Sequence, residues 1–227
     1  GNLQIMIDNN KHISKEVIND IRNVQSAGKT PIILADTEGI KGIIVVADEI
    51  RPQSAKLIER LKILKVRFVI LTGDNQKTAN FVGKLLDVDQ VYGDLLPEGK
   101  IEKITELKNK YGSIAMVGDG VNDAPSLSLS DVGIAMGAVG SDVAIESADI
   151  ALMNDKIELI PFLIQLGRKT QFTIQTNIGI ALITKLVALL LSITGSINLA
   201  IAIFADVGVT FLVIILSLRL LNFKENK

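Results

Sequence analysis

Cysteine is absent from all 227 residues, which excludes a disulfide framework, a thiolate metal site and a thiol nucleophile. Tryptophan is absent too, aromatic residues amount to 4%, and the net charge is −1. Such a chain offers neither the basic surface nor the stacking platforms that nucleic-acid binding uses, so a nucleic-acid partner is not expected. The one histidine, His12, lies in a polar N-terminal stretch and reads as solvated, not as a metal ligand. No signal peptide is visible, and the chain opens on Gly1 and not on Met, which points to a fragment or a processed piece.

What the chain has in excess is hydrophobicity, and it is local. The mean hydropathy of +0.39 comes from the stretch beyond Ile178, where the sequence turns almost continuously apolar. "IGIALITKLVALLLSITG" and "INLAIAIFADVGVTFLVIILSLRLL" are each long enough to cross a hydrocarbon core of about 30 Å at about 1.5 Å per residue. The alternative is a buried helical hairpin of a large soluble domain, but nothing in this chain is large enough to cover both helices. Arg168 and Lys169 precede the first span, Arg219 and Lys224 close the second, and the connecting "TGSIN" carries no charge. The positive-inside tendency then puts both ends in the cytoplasm.

Before the spans the rhythm is different. A helix over 15–26 is followed by "TPIILAD" and "GIKGIIVVAD", two apolar runs joined by the turn "DTEG", which predicts an antiparallel hairpin. From Pro52 onward, helical stretches alternate with the short strands "RFVILTGD", "QVYG", "SIAMVGDG", "DVGIAM" and "ADIALM". In "SAKLIERLKIL", Leu57, Ile58, Leu61 and Leu64 share one helical face. This alternation predicts an α/β fold with a parallel sheet and right-handed crossovers, and ligands beyond the carboxyl ends of the strands.

Two motifs fall at such ends. "TGDN" at 72–75 brings a hydroxyl and a glycine amide, both able to donate to a phosphate oxygen, although a plain strand-end turn accounts for the motif alone equally well. "GDGVND" at 118–123 places Asp119 and Asp123 around a glycine-rich turn, which suits a hard divalent cation such as Mg²⁺. The bland alternative for this second motif is a solvated loop with Asn122 or Asp123 as a helix N-cap. Between the two, Lys100 opens a helix in "LLPEGK", where a phosphate-binding lysine fits better than a surface charge.

Thr72-Gly73-Asp74, Lys100 and the twelve-residue "MVGDGVNDAPSL" together resemble the phosphorylation domain of P-type ATPases, which belong to the haloacid-dehalogenase-like superfamily. "ADEIRP" at 47–52 resembles the hinge leading into that domain. The resemblance implies a haloacid-dehalogenase-like (Rossmannoid) α/β domain over 48–160, preceded by an α+β nucleotide-domain remnant over 1–47. After it comes a transmembrane hairpin over 161–227, with spans near 175–194 and 197–221. It also implies that Thr72 and Gly73 bind the transferred phosphoryl group, with Asp74 part of the same motif, and that Lys100 neutralises it. By the same resemblance Asn122 would contact phosphate, Asp119 would ligate Mg²⁺ and Asp123 would organise the Mg²⁺ loop. Gly1 and Asn2 resemble a Gly-Asn pair near ATP in the heavy-metal branch of the family.

One part of that pattern is missing. The family phosphorylates an aspartate in Asp-Lys-Thr-Gly-Thr, and no such sequence occurs here. Asp36-Thr37-Glu38-Gly39 has the wrong order and sits in the hairpin before the hinge. "GKT" at 28–30 imitates a Walker A ending, but position 23, where that motif has its first glycine, holds Asn23. The chain therefore looks like the last third of a pump, inactive by itself, whose partners are the actuator domain, the rest of the nucleotide domain, the earlier membrane spans and the lipid bilayer.

Within the spans the ionisable residues are Lys185 and Asp206. The midpoint of 185 and 206 falls in the connecting loop, so in an antiparallel hairpin both lie about 15 Å from the turn and should meet near the bilayer centre. Either they form a structural pair, or Asp206 is a ligand for a transported cation and Lys185 its counter-charge, with Gly208 allowing close approach. The lysine and the Asp-x-Gly pattern resemble the zinc/cadmium/lead subgroup of heavy-metal P-type ATPases. The Tyr-Asn and Met-Ser-Ser patterns of the copper subgroup are absent, while Val209 and Ile215-Leu216 depart from the zinc subgroup's usual residues. The function implied is an ATP- and Mg²⁺-dependent exporter of Zn²⁺ or Cd²⁺, with Pb²⁺ or Co²⁺ as further candidates, in a prokaryotic plasma membrane. The alternatives are a membrane-anchored phosphatase of the same superfamily, or an inactive regulatory fragment.

Overall fold

The structure, a computed structural model, describes residues 5–6, 13–36, 39–46, 50–119, 123–136, 146–195 and 198–224. It divides into two units, Gly1–Glu158 and Leu159–Lys227.

In the first unit, helix α1 (Lys15–Ser26) begins where the Ser14 hydroxyl accepts the Val17 amide at 3.3 Å, an N-cap that satisfies one of the free donors of the first turn. Strands β1 (Thr30–Ala35) and β2 (Ile40–Val46) pair antiparallel, as the two apolar runs and the turn between them predict, with Ile33 opposite Ile43. The turn between them is closed by the Asp36 amide on the Gly39 carbonyl at 2.9 Å and the Gly39 amide on Asp36 Oδ1 at 3.1 Å. Ile21 and Ile33 are buried together with Met6, so one face of the hairpin lies against α1. On the other face Ile32, Leu34, Ile44 and Val46 are exposed by 41 to 56%, an apolar surface that none of the described residues of this unit covers.

The rest of the unit alternates helix and strand. It runs α2 (Pro52–Ile63), β3 (Val69–Leu71), α3 (Gln76–Leu85), β4 (Gln90–Tyr92) and α4 (Pro97–Tyr111), then β5 (Ala115–Gly118), α5 (Ala124–Leu129), β6 (Val132–Ala135) and β7 (Ile150–Ala151). Leu57, Ile58 and Leu61 of α2 are buried, as their spacing predicts. All pairings among β3–β7 are parallel. They form two sheets, β3-β4 and β5-β6-β7, and not one continuous sheet, because no strand among the described residues lies between β3 and β5.

The start of the second sheet is fastened by Asp131. Its Oδ2 accepts the Ile114 amide at 2.9 Å, and its Oδ1 pairs with Lys108 at 3.1 Å. The Ile114 amide and the Lys108 ammonium hold this carboxyl below the usual carboxylate range. A carboxylate depressed in the folded state contributes fully above its unfolded pKa of about 3.9, and the contribution is lost as pH falls through the lower folded value. Asp131→Asn should therefore lower the melting temperature at pH 7, and by less as the pH is taken down below about 3.9, as followed by circular dichroism.

The second unit is a helical hairpin. Helix α6 (Ile160–Ile193) is continuous over 34 residues. The first expected span, near 175–194, is thus only its C-terminal part. The segment before it is helical but carries Gln165, Arg168, Lys169 and Gln171, so hydropathy alone does not mark it. Gly195 turns the chain with a φ of 68°, Asn198 Oδ1 accepts the Ile201 amide at 3.0 Å, and α7 (Leu199–Leu218) returns. Both helices are long and apolar enough to cross a membrane, with mean hydropathies of 1.9 and 2.5. Only 6% and 0% of their apolar windows are buried, unlike the core helices of a soluble domain.

Candidate functional site

The first part of the site follows β3. The Thr72 amide extends the β3-β4 ladder to the Tyr92 carbonyl at 3.0 Å, which fixes the backbone as it leaves the sheet. The Thr72 hydroxyl donates to Asp74 Oδ2 at 3.0 Å and accepts the Asp74 amide at 3.1 Å. Asp74 thus sets the direction of the hydroxyl proton. Gly73 is exposed, and a Cβ there would lie 3.3 Å from the Leu95 carbonyl oxygen, so the loop lies close against the approach to α4. Asn75 caps α3 by accepting the Lys77 amide at 3.0 Å.

The second part joins α4 to the end of β5. Lys100 Nζ lies 2.6 Å from Asp123 Oδ1, with side-chain exposures of 17% and 14%. Asp123 occupies the N-cap position of α5, yet its side chain makes no capping bond. Its carboxylate is used on Lys100 instead, which removes the bland N-cap reading for Asp123. The rest of the carboxyl group packs over Gly118, where a Cβ would fall 2.9 Å from Asp123 Oδ2. Asp119, one residue beyond β5, is exposed.

These positions suit Mg²⁺ in part. The donors are hard carboxylate oxygens, as Mg²⁺ requires, but Asp123 is committed to Lys100. Among the described residues no group of three or more His, Cys, Asp or Glu could hold an ion without help. An ion at Asp119 would therefore take further ligands from phosphate and water.

Among the described residues, then, Lys100 meets Asp123 and Thr72 meets Asp74, while no hydrogen bond or ion pair links Thr72 or Gly73 to Lys100, Asp119 or Asp123. Gly1, Asn2 and Asn122, assigned from sequence to ATP and phosphate, lie outside the described residues, as do His12, Thr37, Glu38 and the hinge positions 47–49.

In the hairpin, Lys185 Nζ and Asp206 Oδ1 approach to 3.9 Å, as the register about the turn predicts. Their side chains are 69% and 62% exposed, so the pair faces away from the two helices that carry it. Closer to the charged ends of the hairpin, Asn177 is buried and donates through Nδ2 to Ser217 Oγ at 2.9 Å. This link between α6 and α7 had no motif to mark it. Gln76, Gly93 and Asp94, which stitch loop 72–75 to the approach of α4, were missed as well, and the glycine directly after β4 was their only signal.

Comparison with known proteins agrees with this geometry. The family model for haloacid dehalogenase-like hydrolases matches residues 2–131. A cadmium-transporting ATPase of Staphylococcus aureus is 46% identical over 91% of this chain and 29% of its own length. The zinc/cadmium/lead-transporting P-type ATPase of Escherichia coli K12 is 40% identical over 93% of this chain and 29% of its own length. A crystal structure of a zinc-transporting PIB-type ATPase in the E2.Pi state superposes with a TM-score of 0.79 at 39% identity, covering 92% of this chain and 34% of that one. The chain therefore spans about three-tenths of the length of the curated relatives it matches. With a matching family model over more than half its residues, the chain belongs to the haloacid dehalogenase-like hydrolases.

Proposed function

We propose that this chain is the C-terminal part of a P-type ATPase that exports Zn²⁺ or Cd²⁺, and that the phosphorylated aspartate is supplied by polypeptide outside these 227 residues. The observation that carries this reading is the Lys100–Asp123 pair. A mostly buried ammonium is held at the end of β5 by a carboxylate that could have capped a helix. Phosphoryl transfer needs positioning and charge neutralisation more than it needs covalent chemistry from the protein.

On this reading the Thr72 hydroxyl, oriented by Asp74, and the Gly73 amide donate to phosphoryl oxygens. Lys100, held by Asp123, neutralises developing negative charge. Asp119 would ligate Mg²⁺, which supplies further charge neutralisation at the phosphoryl group when bound. Asn122 is assigned to phosphate, and Gly1 with Asn2 to ATP. Among the described residues β3 pairs only with β4 and β5 only with β6, which supports a nucleophile from elsewhere, since these strands carry the two motifs and each has an edge open to another strand. The uncovered apolar face of the β1-β2 hairpin likewise supports 1–47 being part of a larger nucleotide domain. The phosphorylation domain is assigned to 48–160, and the hairpin over 161–227 to a multi-pass membrane region with both of its ends cytoplasmic. In it Asp206 would bind the transported ion and Lys185 would replace its charge on release.

Metal-stimulated ATP hydrolysis tests this directly. Membranes carrying the chain together with its upstream polypeptide should be stimulated about tenfold or more by Zn²⁺ or Cd²⁺ and not by Cu⁺. Stimulation by Cu⁺ alone, or hydrolysis indifferent to metal, would overturn the assignment.

A further inference from the structure

We propose that Gln76 is a positioning residue for phosphoryl transfer. Its side-chain amide, with Gly93 and Asp94, holds the Thr72 and Gly73 loop and the approach to the Lys100 helix as one piece. The proposal rests on the phosphoryl-transfer reading above and concerns a residue that touches no substrate itself.

The side chain of Gln76 is used at both ends. Oε1 accepts the Gly93 amide at 2.6 Å, while Nε2 donates to the Val91 carbonyl at 3.2 Å and to Asn80 Oδ1 at 2.8 Å. Its backbone amide is taken by Asp94 Oδ2 at 3.0 Å. The two backbones come so close that a Cβ at position 93 would lie 2.6 Å from Gln76 Cα and 2.9 Å from the Asp74 carbonyl oxygen. Only glycine fits such an approach.

Asp94 follows in the left-handed region, with a φ of 54°. A non-glycine residue stays there when its surroundings hold it, and here both its polar ends are engaged. Its amide donates to the Asp74 carbonyl at 2.6 Å and its carboxylate accepts from Gln76. The Leu95 amide then donates to the Thr72 carbonyl at 3.1 Å. Two residues later Pro97 opens α4, and Lys100 stands in its first turn. The Thr72–Asp74 loop and the approach to the helix bearing the neutralising lysine are thus tied by these two backbone bonds and, beside them, by the bonds of Gln76 to Val91, Gly93 and Asp94, and not through the site itself. A displacement of about 1 Å at such groups costs about a hundredfold in rate.

The test uses the intact pump and orthovanadate, a phosphate mimic that reports on the phosphoryl site apart from the nucleotide site. Gln76→Met keeps the volume and removes every side-chain hydrogen bond. It should raise the vanadate concentration for half-inhibition about tenfold or more and slow phosphoenzyme hydrolysis similarly. The KM for ATP and the metal concentration for half-stimulation should stay unchanged. Asp94→Gly, which relieves the left-handed backbone and so does not threaten folding, should move vanadate inhibition in the same direction. Lower total activity with unchanged vanadate sensitivity in both variants would mark a merely structural residue and overturn the proposal. A wild-type protein insensitive to vanadate would instead sink the phosphoryl-transfer reading, and this inference with it.

Discussion

Asp119→Asn should slow phosphoenzyme formation about a thousandfold, equivalent to about 4 kcal/mol of transition-state stabilisation, with little change in protein stability. Asp119 is exposed just past β5, and the neighbouring Asp123 carboxylate is already paired with Lys100. On the proposed reading, Asp119 is then the carboxylate that the described residues at this strand end leave for a divalent ion, and asparagine keeps its size while removing its charge. The Mg²⁺ concentration for half-maximal rate should rise about tenfold or more, measured by rapid-quench labelling with γ-labelled ATP. A normal rate with an unchanged Mg²⁺ requirement would remove Asp119 from the metal assignment.

The second large effect is in the membrane. Asp206→Ala in the intact pump should reduce metal-stimulated hydrolysis about a hundredfold or more, to the unstimulated level. The pair geometry favours a ligand over a lock. At 3.9 Å the ammonium and carboxylate are at the limit of an ion pair, and both side chains face outward from the hairpin. Oxygen lone pairs of Asp206 thus remain available to an ion between this hairpin and whatever packs beside it. A structural lock predicts the opposite pattern. In that case Lys185→Met and Asp206→Met would each be harmful, and the double variant would recover transport, because no unpaired charge would remain. If Asp206 is a ligand, the double variant stays dead.

Much of the fold was legible because its signals are local. The two apolar runs of β1 and β2 on either side of a turn signal marked the antiparallel hairpin, and the turn residues Asp36 and Gly39 its closure. The apolar spacing of Leu57, Ile58 and Leu61 gave α2 and its buried face. The meeting of Lys185 and Asp206 followed from counting residues to a turn. What escaped the sequence depends on partners distant along the chain. Asp123 was assigned to a metal loop or an N-cap, since nothing local reveals that Lys100 takes its carboxylate. Gln76 is an ordinary helix residue in any pattern, and its side-chain bonds to Val91 and Gly93 form only once β4 lies alongside. The N-terminal half of α6 was missed because Gln165, Arg168, Lys169 and Gln171 interrupt its apolar residues. The division of the parallel strands into two sheets was missed because alternation specifies pairing direction and not which edges stay open.

The central claim is that this chain holds the phosphoryl-binding half of an active site whose nucleophile lies elsewhere. Acid-stable labelling from γ-labelled ATP with Mg²⁺ tests it most directly. The 227-residue chain alone should remain unlabelled, and the same chain joined to upstream polypeptide containing Asp-Lys-Thr-Gly-Thr should carry label on that aspartate. Acid-stable label on the isolated chain would contradict the account.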